Sequence, residues 1–154
     1  MKNYMISILI AIFISACNQN KDFYTVLEIN KSLDKDKEMI MNTFNDIVIC
    51  WNNEDIECYM KAYSTKDTVQ MISKNGVTFG YENILRQFKK SFPKRDMGKL
   101  SFENYHYRKL AEDLFFVTGK FNLTFKDSKE PFSNWFSVIM KRYNNKYLII
   151  TDHS

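Results

Sequence analysis

The chain has 154 residues, of which 45% are hydrophobic and 26% charged, and a formal net charge of +4. That balance suits one globular core, excludes a disordered chain and is too weakly basic to point to nucleic acid as a partner. Phe 13, Tyr 9 and Trp 2 against Gly 4 and Pro 2 suit a β-rich core or an aromatic-lined pocket.

Taken in order, the chain begins with Lys2 and an apolar run from Tyr4 to Ile14 broken only by Ser7. The run is too short to span a bilayer as a helix and has the form of a secretory leader. Ile14-Ser15-Ala16-Cys17 resembles the bacterial lipoprotein processing box, which implies that Cys17 is lipidated and becomes the new N-terminus. The expected organisation is a signal peptide over 1–16, a lipid anchor and tether over 17–33 and a folded domain over 34–154. The domain is then expected outside the cytoplasm in the cell envelope, held to a membrane by the lipid. Cys50 and Cys58 would fold where disulfides are allowed. A bridge between them is geometrically open, and buried free thiols are the simpler expectation.

Asp34 or Asp36 is placed to cap a helix reaching about Asn52, with Ile40, Phe44, Ile47, Val48 and Trp51 on one face. After Asn52-Asn53, Glu54 and Asp55 open a shorter helix carrying Ile56, Tyr59, Met60 and Tyr63. Residues 68–73 and 77–79 read as a hairpin around Asn75-Gly76. Gly80 opens a third helix with Tyr81, Ile84, Leu85 and Phe88 on one face, and Pro93 lies just past its end. From Lys99 the period changes to strands. The strand from Lys99 to Leu110 needs a bulge, placed near Arg108, to keep Tyr105, Tyr107 and Leu110 together. Gly119 sits in phase with Phe115, Val117, Phe121 and Leu123, where a glycine marks a bend or a close backbone approach. A final hairpin over 134–154 turns at Asn144-Asn145. Three helices and a set of antiparallel strands predict an α+β domain with helices on one face of a bent sheet.

Trp51-Asn52-Asn53-Glu54-Asp55-Ile56, Gly80-Tyr81-Glu82, Met97-Gly98-Lys99-Leu100, Val117-Thr118-Gly119, Phe136-Ser137-Val138 and the closing Asp152-His153-Ser154 occur in this order. As a set, over Asp36 to Ser154, they resemble the SnoaL-like family of unknown function in the nuclear transport factor 2-like superfamily, which also includes ketosteroid isomerase and scytalone dehydratase. The resemblance implies a cone-like curved antiparallel sheet with three helices on its concave face, a cavity between them and, often, a homodimer. It implies no single chemistry. Two departures are Asn134, where many relatives have glycine, and Tyr147, in place of a frequent tryptophan. The acids of ketosteroid isomerase find no match here.

Strand parity on the last strand puts Tyr147, Ile149, Thr151 and His153 on one side and Asp152 on the other. With Tyr147 and Ile149 facing the helices, His153 is expected at the cavity mouth, as a general acid or base or as a hydrogen-bonded structural histidine. Trp51, Tyr59, Tyr63, Phe79, Phe88 and Tyr107 are the expected cavity wall, with core packing as the plainer role of each. No His/Cys spacing suggests a metal, and there is no phosphate loop or cofactor motif. Three functions follow as alternatives. The first is binding of a small, partly apolar ligand. The second is acid–base catalysis of the isomerase, dehydratase or cyclase kind by His153 with a tyrosine. The third is a structural or partner-binding role. On the opposite face of the final hairpin, Trp135, Ile139, Leu148 and Ile150 join Phe116 in an apolar patch, which is expected to be covered by a second copy or by residues 23–29.

Overall fold

The computed structural model describes residues 3–66, 68–93, 97–126 and 130–154, with side chains from residue 28 onward. The chain divides into two compact units, Met1–Glu38 and Met39–Ser154. Helix α1 runs over Asn3–Asn52, well before the expected start at Asp34 or Asp36. The reason is visible in the sequence, because residues 1–52 contain neither glycine nor proline to stop a helix. The side chain of Cys17 lies outside the described residues. Among the described residues, no helix is long and apolar enough to cross a membrane.

In the second unit, α1 is followed by α2 (Ile56–Met60), β1 (Gln70–Ser73), β2 (Gly76–Phe79) and α3 (Tyr81–Ser91). Strands β3 (Lys99–Ala111), β4 (Leu114–Thr124), β5 (Phe132–Tyr143) and β6 (Lys146–His153) complete it. The strands form one curved, open sheet in the order β2-β1-β6-β5-β4-β3. All neighbours are antiparallel except β1 and β6, which run parallel. This is the expected α+β architecture with three helices.

The core follows from the helical spacing. Ile40, Phe44, Ile47 and Trp51 are buried along α1, and Ile84 and Phe88 along α3. They meet the inward residues Phe115, Val117, Phe136, Val138, Met140, Tyr147 and Ile149, also buried. The Phe44 ring packs edge-on to Phe102 and Tyr105, 5.2 Å from each. Gly119 fulfils its expectation of a close approach. A Cβ there would lie 2.7 Å from the Phe136 ring.

Strand β3 carries two irregularities, between Glu103 and His106 and between Lys109 and Ala111, which flank the expected site near Arg108. Asn104, at the first, takes a left-handed φ of 57°, a conformation that asparagine tolerates better than most residues. The hairpin of β5 and β6 turns at Asn144-Asn145 as expected, with Asn144 at φ 56°. The other hairpin turns one residue earlier than expected, on Lys74-Asn75, with Gly76 already paired to Ser73.

Cys50 and Cys58 form a disulfide with Cα atoms 5.3 Å apart, so the expectation of free thiols does not hold. The turn from Asn53 to Asp55 brings the start of α2 back beside the end of α1. Asp55 then caps α2 by accepting from the Cys58 N–H at 2.9 Å.

Candidate functional site

A cavity of about 1240 Å³ lies between the helices and the sheet. Aromatic and aliphatic side chains from both layers wall it, among them Phe44, Trp51, Phe88, Phe102, Phe121 and Phe136. At its rim stand Phe132 and Trp135, 51% and 57% exposed. Near the end of β6 and the β1–β2 turn, the lining becomes polar, with Ser73, Lys74, Asn75, His153 and Ser154.

The deepest polar feature is a chain of three buried groups. Tyr63 donates from its hydroxyl to Asp152 Oδ2, and the Tyr59 and Tyr63 hydroxyls lie 3.3 Å apart. All three residues line the cavity. Tyr59 lies in α2 and Tyr63 just past its end, where the Tyr63 N–H donates to Met60 O at 2.9 Å and the two rings come to one side, with centroids 5.9 Å apart. Just after α2, Ile149 of β6 donates to Ala62 O and accepts from Ser64 N–H, at 2.8 and 2.9 Å. That pairing lays Tyr63 against the strand that carries Asp152.

Asp152 reaches the cavity because β6 bulges. Ile139 pairs with Thr151 while Met140 pairs with Ile149, which leaves Ile150 as an extra residue. Before the bulge the inward residues are Tyr147 and Ile149; after it, the inward residue is Asp152, only 5% exposed. His153 turns outward and is exposed, touching the cavity only at its rim. Because of this one extra residue, Asp152 faces the cavity, contrary to the expectation from strand parity.

Electrostatics follow from depth. Burial pushes the Asp152 carboxyl above its ordinary value of 3.8, although hydrogen bonds from Tyr63 and Ser154 and the nearby His153 pull it down. Burial and the charge of Asp152 raise both phenols, Tyr59 and Tyr63. Both tyrosines therefore stay neutral in the physiological range and act as donors or acceptors of hydrogen bonds.

The other expected wall residues divide. Trp51 and Phe88 line the cavity, and each packs on the Tyr59 ring, with centroids 5.2 and 5.0 Å away. The Trp51 indole N–H is occupied, donating to Met97 O at 3.2 Å. Phe79 is exposed on β2 and Tyr107 donates to Met41 Sδ at 2.6 Å; neither is part of the lining. Asp152 was missed as a cavity residue, and the available signal was its position as a lone acid closing an apolar strand. Among the described residues, no cluster of His, Cys, Asp or Glu is arranged to hold a metal ion.

Solved structures share this arrangement of sheet and helices. An NTF-2 like protein of unknown function from Shewanella oneidensis matches with a TM-score of 0.70 and 23% identity, over 76% of this chain and 96% of that one. The fold is NTF2-like. A candidate scytalone dehydratase from Novosphingobium aromaticivorans matches at a TM-score of 0.68 with 6% identity, covering 80% of this chain and 85% of its own. A candidate dehydratase of the NTF2-like family from Streptomyces avermitilis matches at 0.61 with 12% identity, covering 78% and 95%. No protein-family model and no curated protein matches the sequence. At these identities the likeness concerns the NTF2-like fold alone.

Proposed function

We propose that the domain binds a small, largely apolar ligand in the cone cavity and holds one polar group of it on the Tyr59 hydroxyl, as a SnoaL-like ligand-binding module. The observation that carries this reading is the Tyr59–Tyr63–Asp152 chain, buried at one place in a cavity of about 1240 Å³ walled largely by aromatic and aliphatic side chains. A largely apolar pocket with a few convergent polar groups is the general form of a small-molecule site. Tyr63 gives its proton to Asp152, so the Tyr59 hydroxyl donates to Tyr63 and, at the end of the chain, is left to accept from a ligand hydroxyl or N–H.

The test is extraction of the purified protein and mass spectrometry of what it carries, followed by titration with the neutral apolar dye N-phenyl-1-naphthylamine. Tyr59→Phe should weaken a ligand that uses the hydroxyl by roughly 5- to 10-fold, the worth of one neutral hydrogen bond. No extracted molecule and no dye binding would overturn the reading.

A second reading, acid–base catalysis, is favoured by the raised carboxyl of Asp152 beside Tyr63. In that reading Asp152 takes the role first given to His153. Candidate dehydratases among the structural neighbours supply analogy only. Catalysis would show as turnover that Asp152→Asn abolishes while dye binding persists.

The address and the assembly belong to the same proposal. Lipidation of Cys17 would hold the domain at a membrane outside the cytoplasm, and the Cys50–Cys58 bridge is the chemistry of an oxidising compartment. A second copy would cover the face of the sheet turned from the helices. There Phe116 pairs with Ile139, and Leu148 and Ile150 stand on the neighbouring strand, all half-buried in the single chain. Covering such side chains is worth roughly 1.5–3 kcal/mol each at full burial.

A further inference from the structure

The tyrosine at the open end of the buried chain is carried by an element too short to hold itself. Helix α2 has five residues, and isolated helices of that length are not stable in water. The turn leading into it is tied to the end of α1 by backbone bonds from Glu54 N–H to Trp51 O (2.8 Å) and Asp55 N–H to Cys50 O (3.0 Å), and it carries Glu54 at a φ of 59°, which disfavours a non-glycine residue. What ties α2 to α1 covalently is the Cys50–Cys58 disulfide. Its placement is specific. Cys50 immediately precedes Trp51 and Cys58 immediately precedes Tyr59, and both following residues line the cavity with rings 5.2 Å apart. Neither cysteine lines the cavity itself. Cys50 is buried and Cys58 half-buried, so Cys58 is the less covered of the two.

We propose that the Cys50–Cys58 disulfide is a redox-sensitive clamp that positions Tyr59 in the cavity. With the bond closed, Tyr59 packs on Trp51 and its hydroxyl meets Tyr63. With the bond open, α2 frays and the cavity loses the end of its polar chain. The reductant is a dithiol. One of its thiolates attacks Cys58 Sγ, forms a mixed disulfide and expels the Cys50 thiolate. Its second thiolate then attacks the reductant sulfur of that mixed disulfide and expels the Cys58 thiolate. Two electrons pass to the protein, the two cysteines take up two protons, and the reductant leaves as its own disulfide. Cys50 and Cys58 are positioning residues, acting through Tyr59.

The loop closed by the bond is about nine residues, and its closure entropy corresponds to an upper limit of roughly 80-fold in the opening equilibrium of α2. Amide hydrogen exchange of the whole chain, oxidised and after dithiothreitol, reads this directly. The amides of residues 56–63 should exchange faster on reduction, up to that limit, while those of α3 and β4–β6 keep their rates. N-phenyl-1-naphthylamine affinity should fall in parallel, and Cys50→Ser with Cys58→Ser should reproduce the reduced state and ignore dithiothreitol.

Unchanged exchange at 56–63 with both thiols confirmed free by mass overturns the proposal. So does uniform acceleration through the sheet, which would make the bond a general staple, or a protein isolated under air with both thiols free. Should the double serine variant not fold, the reduced wild-type chain still decides. Only the dye experiment rests on the ligand-binding reading. If the oxidised protein binds no dye, that reading fails, while hydrogen exchange still judges the clamp.

Discussion

Replacing Tyr63 by Phe removes a single oxygen from a residue only 2% exposed. The lost oxygen donated to Asp152 Oδ2 and met the Tyr59 hydroxyl. Where Asp152 is ionised, the lost bond is to a charged acceptor, worth roughly 1.5–3 kcal/mol; where it is protonated, the bond is neutral, worth about 0.5–1.5 kcal/mol. The penalty of Tyr63→Phe should therefore grow as pH rises.

The wild-type slope has a fixed sign as well. Asp152 is raised in the folded state, so between its ordinary value of 3.8 and the raised folded value the native protein binds more protons than the unfolded chain. Stability from this group falls as pH rises through that window. Tyr63→Phe removes an interaction that lowers the carboxyl, so it pushes the folded value higher and steepens the loss. Asp152→Asn abolishes this contribution.

Urea unfolding of the wild type, both single variants and the double variant, at acid and neutral pH, measures the coupling as a double-mutant cycle. Additive penalties within about 0.3 kcal/mol at both pH values would refute a functional hydrogen bond between Tyr63 and Asp152.

Gly119→Ala should cost roughly 1–3 kcal/mol by overpacking, because its Cβ would meet the Phe136 ring at 2.7 Å and Glu103 O at 3.2 Å; thermal unfolding reads the loss, and an unchanged Tm contradicts the close approach. Ile139→Lys should convert a dimer into folded monomers in sedimentation. It is a cleaner probe than Trp135→Lys, since Trp135 also lines the cavity rim; a wild-type chain that sediments as a monomer defeats the dimer. Cys17→Ser should leave an unprocessed or soluble product, and unchanged mass and membrane fractionation would defeat lipidation. Raising the pH through neutrality should leave Tyr59 and Tyr63 un-ionised, since burial raises both phenols; a phenolate absorbance from them below pH 10 would contradict their depth.

The sequence by itself determined the α+β class and most element positions, because those rest on local signals. The spacing of Ile40, Phe44, Ile47 and Trp51 wrote the buried face of α1, Asn144-Asn145 wrote a turn, and Gly119 marked a bend or a close approach, which the structure fills with the Phe136 ring. That α1 continues upstream of the capping aspartates is compatible with local sequence, since residues 3–52 contain neither glycine nor proline. Tertiary structure alone decided the site. The extra residue Ile150 carries no sequence mark, since bulges need only a mismatch with the partner strand, yet it exchanged the facing of Asp152 and His153. The meeting of Tyr63 with Asp152 depends on residues 62–64 pairing with Ile149, a contact across more than half the domain that no periodicity records. The Cys50–Cys58 bond likewise waited on the tightness of one turn, because the spacing permitted both a bridge and two thiols until the backbone brought their Cα atoms to 5.3 Å.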